Sequence, residues 1–251
     1  MQSVLFVDSR MRTDGTDSSL SIELRESLHL TEHGMRVDKL RLTNSFLTTD
    51  LGRHLYYKDG SGGITSYALP EQAYTGTQLA AAMQTATSRT TTYDPNTNAI
   101  TQDAVAFQEW LSDEQLQTYT TGFPLGATSS APRSINAVLG TSLNFYVTSN
   151  PATYTIKWHF VKMSPYDYLF LRSRRLTVAN SQDPSGRHDV VACIPLTNGI
   201  GAVETASSPD GVYLKLPNDL VLRNIDFSLT DYLGNIVDLR GRPISFEICF
   251  D

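Results

Sequence analysis

Two cysteines in 251 residues, Cys193 and Cys249, are too few for a disulfide scaffold. They read as free thiols, the usual state in a reducing compartment. Charged residues make up only 18 % of the chain, below the usual quarter. Ser, Thr, Asn and Gln take up much of the difference. That composition suits sheets with wide uncharged surfaces, including surfaces that meet other subunits. The formal net charge of −6 argues against a general nucleic-acid-binding role, though not against a local basic patch. Residues 1–8 have no basic start and too short an apolar run for a signal peptide. No window approaches 18 apolar residues, so no transmembrane helix is expected. No Asn-x-Ser/Thr sequon occurs, which fits a chain outside the secretory pathway.

Catalytic sets are equally scarce. There is no Gly-x-Ser-x-Gly elbow, no Walker loop and no dinucleotide fingerprint. The glycines at 60, 62 and 63 sit in a hairpin turn with no helix after them. The acids of the 8–17 loop do not fall at the spacing of a calcium loop. Of the histidines, 29, 33, 54, 159 and 188, only His29 and His33 have a metal-like spacing. They fall at a strand end before Gly34, not on a helix, so no metal and no cofactor are expected. His188 and Asp189 read as a surface pair. Asp113 and Glu114 sit at a helix start, where acids favour the helix dipole. Arg172, Arg174 and Arg175 form the only dense basic cluster. Tyr166, Tyr168 and Phe170 lie near it but alternate as strand residues do. A subunit contact or a structural ion pair is the better reading than a nucleic-acid patch.

What is present is β-structure. Over the last thirty residues Ile225, Phe227 and Leu229 alternate with Asp226, Ser228 and Thr230. Ile244, Phe246, Ile248 and Phe250 alternate with Ser245, Glu247 and Cys249. Period two with one apolar face marks a half-buried strand. A terminal strand this apolar has to be paired inside a sheet, so 244–250 is expected to close the core. Turn chemistry at 233–235 and 240–243 separates the two strands.

Earlier strands are expected at 4–7, at 20–30 with a bulge or bend near Arg25–Ser27, and at 37–43. A hairpin is expected at 53–57 and 64–69 around the glycine-rich turn. Thr75 and Gln78 form a capping box ahead of a helix carrying Leu79 and Met83. Short strands follow near 90–92, 100 and 105–107. Residues 111–140 are irregular, with helical turns at 112–116 and 134–140. Further strands are expected at 143–147, 154–160, 168–171, 190–194, 202–205 and 212–216. More than eight strands and few helices favour a sandwich or barrel.

The order of these motifs resembles one family. Asp8-Ser-Arg10, Gly15-Thr16, Leu20-Ser-Ile-Glu-Leu24 and Val37–Ser45 are similar to the opening of minor capsid (penton) proteins. These belong to the double-jelly-roll lineage of double-stranded DNA viruses, including virophages, polinton-like viruses and larger relatives. Leu69–Thr75 leading into Leu79–Met83, and Ile135–Gly140, resemble later units. So do Tyr168–Leu171, Cys193-Ile-Pro195 with Gly199, and above all Phe227–Asp231 with Gly234, Val237, Leu239, Gly241 and Ile244–Phe246. The expected proline before Asn44-Ser45 is missing, and 111–134 has no counterpart.

The resemblance implies an all-β fold, a single jelly-roll β-sandwich with short helical insertions. It implies one domain over 1–251 with a loop-rich insertion around 111–140. It also implies a non-enzymatic virion protein that forms pentamers at five-fold vertices and contacts the major capsid protein of the same virus. Assembly would take place in the host cytoplasm or nucleus. Arg172, Arg174 and Arg175 are then candidate subunit contacts. The alternative is a non-catalytic β-sandwich that binds carbohydrate or a receptor, with Tyr56, Tyr57, Tyr67, Tyr93, Trp110 and Tyr119 as a sugar platform.

Overall fold

The structure is a computed structural model. It describes residues 3–30, 34–104, 109–119, 133–140, 154–178, 182–183, 186–208, 213–216 and 219–250. In chain order the elements are β1 (Ser3–Asp8), a 3-10 turn (Ser9–Met11), β2 (Asp14–Gly15), β3 (Ser19–Leu30), β4 (Gly34–Thr43), β5 (His54–Lys58) and β6 (Ile64–Ala68). Then come α1 (Gly76–Thr87), β7 (Thr91–Asp94), β8 (Ala99–Ala104), β9 (Glu109–Trp110), α2 (Asp113–Tyr119), α3 (Asn136–Leu139) and β10 (Tyr154–Trp158). The last are β11 (Tyr168–Arg172), β12 (Val190–Pro195), β13 (Val203–Ala206), β14 (Leu214–Lys215), β15 (Leu220–Thr230) and β16 (Ile244–Phe250). The chain divides into two compact units, Met1–Ser45 with Tyr166–Asp251, and Phe46–Pro165.

The first unit holds two antiparallel sheets. One runs β1-β16-β4-β13, with β14 also on β4; the other runs β12-β11-β15-β3-β2. Its eight principal strands pair outermost with outermost: β1 with β16, β3 with β15, β4 with β13, β11 with β12. One long hairpin folded over itself in this way is a jelly roll. Phe227 of β15 meets Phe246 of β16 edge to face, with ring centroids 5.0 Å apart, so the two sheets share a core.

The sequence dictates the closing strand directly. β16 lies between β1 and β4, and Ile244, Phe246, Ile248 and Phe250 are all 2 % exposed or less. By alternation Cys249 belongs to the polar face. It does project from that face, opposite Arg36 in register, yet it is buried. The Arg36 side chain hydrogen-bonds to it.

Two irregularities keep the apolar frames inward. In β3 the pairing passes from Glu23 opposite Asn224 to Leu28 opposite Leu222, so Leu24–Ser27 bulge opposite Arg223. In β4, Asp38 opposes Glu247 and Arg41 opposes Ser245, leaving Lys39 and Leu40 against Phe246. Lys39 takes φ 46°, a conformation that costs a non-glycine residue about 1–2 kcal/mol. In return Val37, Leu40 and Leu42 all face the core.

The second unit carries two three-stranded sheets, β10-β8-β7 and β6-β5-β9. Its core gathers Leu55, Tyr57, Leu79, Met83, Ile100 and Trp158, among others. The Thr75 hydroxyl accepts from Gln78 N and Gln78 Oε1 accepts from Thr75 N, so the capping box that starts α1 is complete. Asp59 Oδ1 accepts from Ser61 N and Gly63 N and sets the β5–β6 turn.

The compact unit Phe46–Pro165 contains residues 111–140, where the sequence reading expects a loop-rich insertion. Residues from the β5–β6 hairpin through β10 share one core, so the break falls at 46 and 165. The strands expected at 143–147 and near 105–107 lie outside the described residues.

Truncating the closing strand tests its role. Phe246→Ala and Ile248→Ala should each destabilise the chain by about 2–5 kcal/mol, as large-to-small changes in a packed core do. Denaturant titration measures this, and near-zero loss for both would remove β16 from the core.

Candidate functional site

The arginine cluster divides into an inside and an outside. Arg172 ends β11 with its side chain pointing inward and only 4 % exposed. Its Nε donates to Thr230 Oγ1 at 2.9 Å, Nη1 to Asp189 Oδ1 at 2.6 Å and Nη2 to Asp183 Oδ2 at 2.9 Å. Arg187 Nε donates to the same Asp183 oxygen at 3.0 Å. Two cations and two carboxylates thus close a charge-balanced node. Buried ions persist when paired and hydrogen-bonded in this way.

One sequence expectation is corrected here and its alternative holds: Arg172 is not a surface contact but a structural ion pair, because its guanidinium is consumed inside the fold. Asp189 receives Arg172, a partner that the sequence did not indicate, while His188 is exposed.

Arg174 and Arg175 stay outside. The chain turns at Ser173–Leu176, where Leu176 N donates to Ser173 Oγ at 3.2 Å. Arg174 N donates to Asp226 Oδ2 at 3.2 Å. Ser173 and Leu176 are buried on either side, and both arginines are exposed between them.

Sequence reasoning missed three buried carboxylates with structural work. Asp183 Oδ1 accepts from Arg187 N at 3.0 Å and ties its own loop. Glu204 accepts from Thr197 N, Asn198 N and Asn198 Nδ2, which closes the β12–β13 turn. Asp231 accepts from Leu233 N, Asn235 N and Asn235 Nδ2. Arg187 lies over that last turn: a Cβ on Gly234 would meet its Nη2 at 2.8 Å, and φ there is +88°. The signal for Asp231 was present, since an acid ahead of Gly-Asn is turn chemistry. Asp183 and Glu204 carried none.

The sugar platform does not form. Tyr56, Tyr57 and Trp110 are buried, and Tyr67 and Tyr93 are partly buried against the second unit's core. Tyr57 OH donates to Gln102 Oε1 at 2.5 Å, and Arg89 stands 4.2 Å over its ring. Burial pushes the Tyr57 phenol above its ordinary pKa. Trp110 packs edge to face on Trp158. These aromatics serve the core instead of a binding face, and the Tyr119 side chain lies outside the described residues.

Among the described residues no group of three His, Cys, Asp or Glu could hold a metal ion; His33 lies outside them. Asp113 opens α2 as expected. Its Oδ1 also accepts from Ser134 Oγ at 2.5 Å and Asn136 Nδ2 at 2.8 Å. Burial raises its carboxyl above the ordinary 3.8, and these hydrogen bonds oppose the shift.

No protein-family model matches the chain, and no curated protein does. Among solved structures it matches the crystal structure of the selenomethionine-labelled mavirus penton protein. The match covers 100 % of this chain and 99 % of that one, with a TM-score of 0.54 and 8 % sequence identity. The likeness is therefore one of fold, to a virophage penton protein. The chain is an all-β jelly-roll protein, and its resemblance to penton proteins extends over its whole length.

Arg172→Ala should cost about 3–5 kcal/mol, because Asp183 and Asp189 lose their buried cation. The Arg174→Ala, Arg175→Ala double variant should stay within about 1 kcal/mol of wild type, since exposed pairs contribute little. Matched denaturant titrations compare the two, and equal losses would undo the division.

Asp113→Asn keeps an acceptor for Ser134 and Asn136 but carries no charge. A carboxyl with a raised native pKa favours the fold below that pKa, and the advantage is lost as pH rises through it. The variant should therefore gain stability relative to wild type as pH rises from 3.8 through the native value. Thermal melts across that range read the difference; a constant offset would deny the shift.

Proposed function

We propose that this chain is a structural virion protein, the minor capsid (penton) subunit that forms pentamers at the five-fold vertices of an icosahedral DNA virus capsid. The observation that carries this reading is the fold match to a penton protein over the full length of both chains. The nested strand pairing supports it. So does a site whose strongest charges are spent on internal pairing, as expected of a protein whose work is association and not catalysis. The domain plan follows the same reading: one jelly-roll domain over 1–251 with a loop-rich insertion around 111–140. The protein belongs in the virion, assembled in the host cytoplasm or nucleus beside the major capsid protein, with no nucleic-acid contact and no cofactor. The carbohydrate-binding alternative loses its platform to the core.

Arg174 and Arg175 are the charged contact, meeting acids of a neighbouring subunit or of the adjoining major capsid protein. Arginine suits this because its planar fork holds a carboxylate by two hydrogen bonds and sheds water readily. Native mass measurement and sedimentation should find a pentamer for the wild-type chain, alone or with the major capsid protein. Replacing both arginines by Ala should leave the fold intact and weaken assembly by about 2–5 kcal/mol, as loss of a desolvated interface pair does. A chain that remains monomeric at every concentration and with that partner would refute the pentamer. A double variant that assembles like wild type would take the arginines out of the contact.

A further inference from the structure

The outer face of the β1-β16-β4-β13 sheet has its polarity arranged against the usual order. Monomeric β-proteins place charge on their edge strands and so block unwanted pairing. Here the charge lies in the middle. Phe6 of β1 stands opposite Glu247 of β16, which stands opposite Asp38 of β4. Arg41 of β4 follows one step along the same face, opposite Ser245. On the two edges apolar side chains stand exposed instead, next to Asp8 on β1 and Thr205 on β13. On β1, Phe6 is 73 % and Val4 45 % exposed. On β13, Val203 is 56 % exposed, and Ile200 just before it 52 %. Among the described residues β1 pairs only with β16 and β13 only with β4, so both are edges.

We infer that these two edges meet, β1 of one copy against β13 of the next, and that this is the contact that closes the ring. The occupant is a second copy of this chain, because each copy supplies both apolar rims on opposite flanks of one sheet. That is the arrangement a head-to-tail interface requires. Charge fits the same occupant. Beside Phe6, Arg10 is paired with Asp8 at 2.6 Å and Lys39 with Glu247 at 3.0 Å. Beside Val203, the Glu204 carboxylate is already held by Thr197 and Asn198. The rims can join without stranding a charge. This inference rests on the pentamer reading.

The test uses Phe6→Glu and Val203→Glu, each in the full chain. Both side chains point to solvent, so the melting temperatures should match wild type. Should either variant melt lower, Phe6→Thr and Val203→Thr take their place. Each variant alone should raise the protein concentration needed for assembly at least tenfold. Mixed in equal amounts, the two should form a one-to-one dimer and nothing larger, since each retains the edge that the other lacks. Native mass spectrometry reads this directly. Wild type assembling while both variants assemble equally well would overturn the edge contact and leave the pentamer standing. Variants that remain monomeric both alone and mixed would overturn the pairing of β1 with β13. A wild-type chain that never assembles would sink both readings.

Discussion

The pairing of β1 with β16 is the constraint on which the jelly roll depends. Ser3 pairs with Phe250 and Asp8 with Ser245, so the first strand has no partner until the last has been made. The other pairs nest inside this one: β3 with β15, β4 with β13, β11 with β12. Every pairing but the innermost is distant in sequence. Chain entropy is therefore spent before long-range contacts return it, which makes such a topology slow to fold. The remedy is local. The frames of β3 and β4 are corrected by bulges at Leu24–Ser27 and Lys39–Leu40. A one-residue slip would turn every apolar side chain outward.

The scarce charges follow the same logic. Arg172 joins the end of β11 to Asp183 and Asp189 in the segment that leads into β12, and through Thr230 to the end of β15. Glu204 fastens the β12–β13 turn and Asp231 the exit from β15. Each sits where the chain leaves a strand and backbone donors would otherwise be buried without partners. A carboxylate accepting several such donors is stronger than a neutral acceptor in the same place.

Alternation was readable wherever one face is buried and the other wet, as in 220–230 and 244–250. The capping box at Thr75 and Gln78 was readable because it is local chemistry over four residues. Side-chain direction at the ends of strands was not. Arg172, Arg174 and Arg175 look alike in sequence, and a tight turn after Ser173 sends the first inward and the others outward. The aromatics of 56–110 failed as a platform for a related reason. Tyr57 and Trp110 face each other in register on β5 and β9, and only the fold shows what covers them, Trp158 on Trp110 and Tyr67 with Arg89 on Tyr57. The break at 46 and 165 does mark composition, since charge is thinner and threonine denser in 46–165 than in the rest of the chain, but motifs taken one at a time do not show it.

That second unit explains how so long an excursion fits between neighbouring strands of a jelly roll. β4 and β11 belong to different sheets, so the chain must leave one and enter the other whatever its length. The entropy of closing such a connection grows only with the logarithm of length, about 0.6 kcal/mol for each doubling. A long floppy loop would still have carried polar backbone and apolar side chains with nowhere to go. Here Leu79 and Met83 of a capped helix, Ile100 of β8 and Trp158 of β10 bury one another, so the excursion supplies its own core. Its cost to the jelly roll is then little more than the closure term. The nested pairing, which tolerates no change of register, is left undisturbed by an insertion that makes its own contacts.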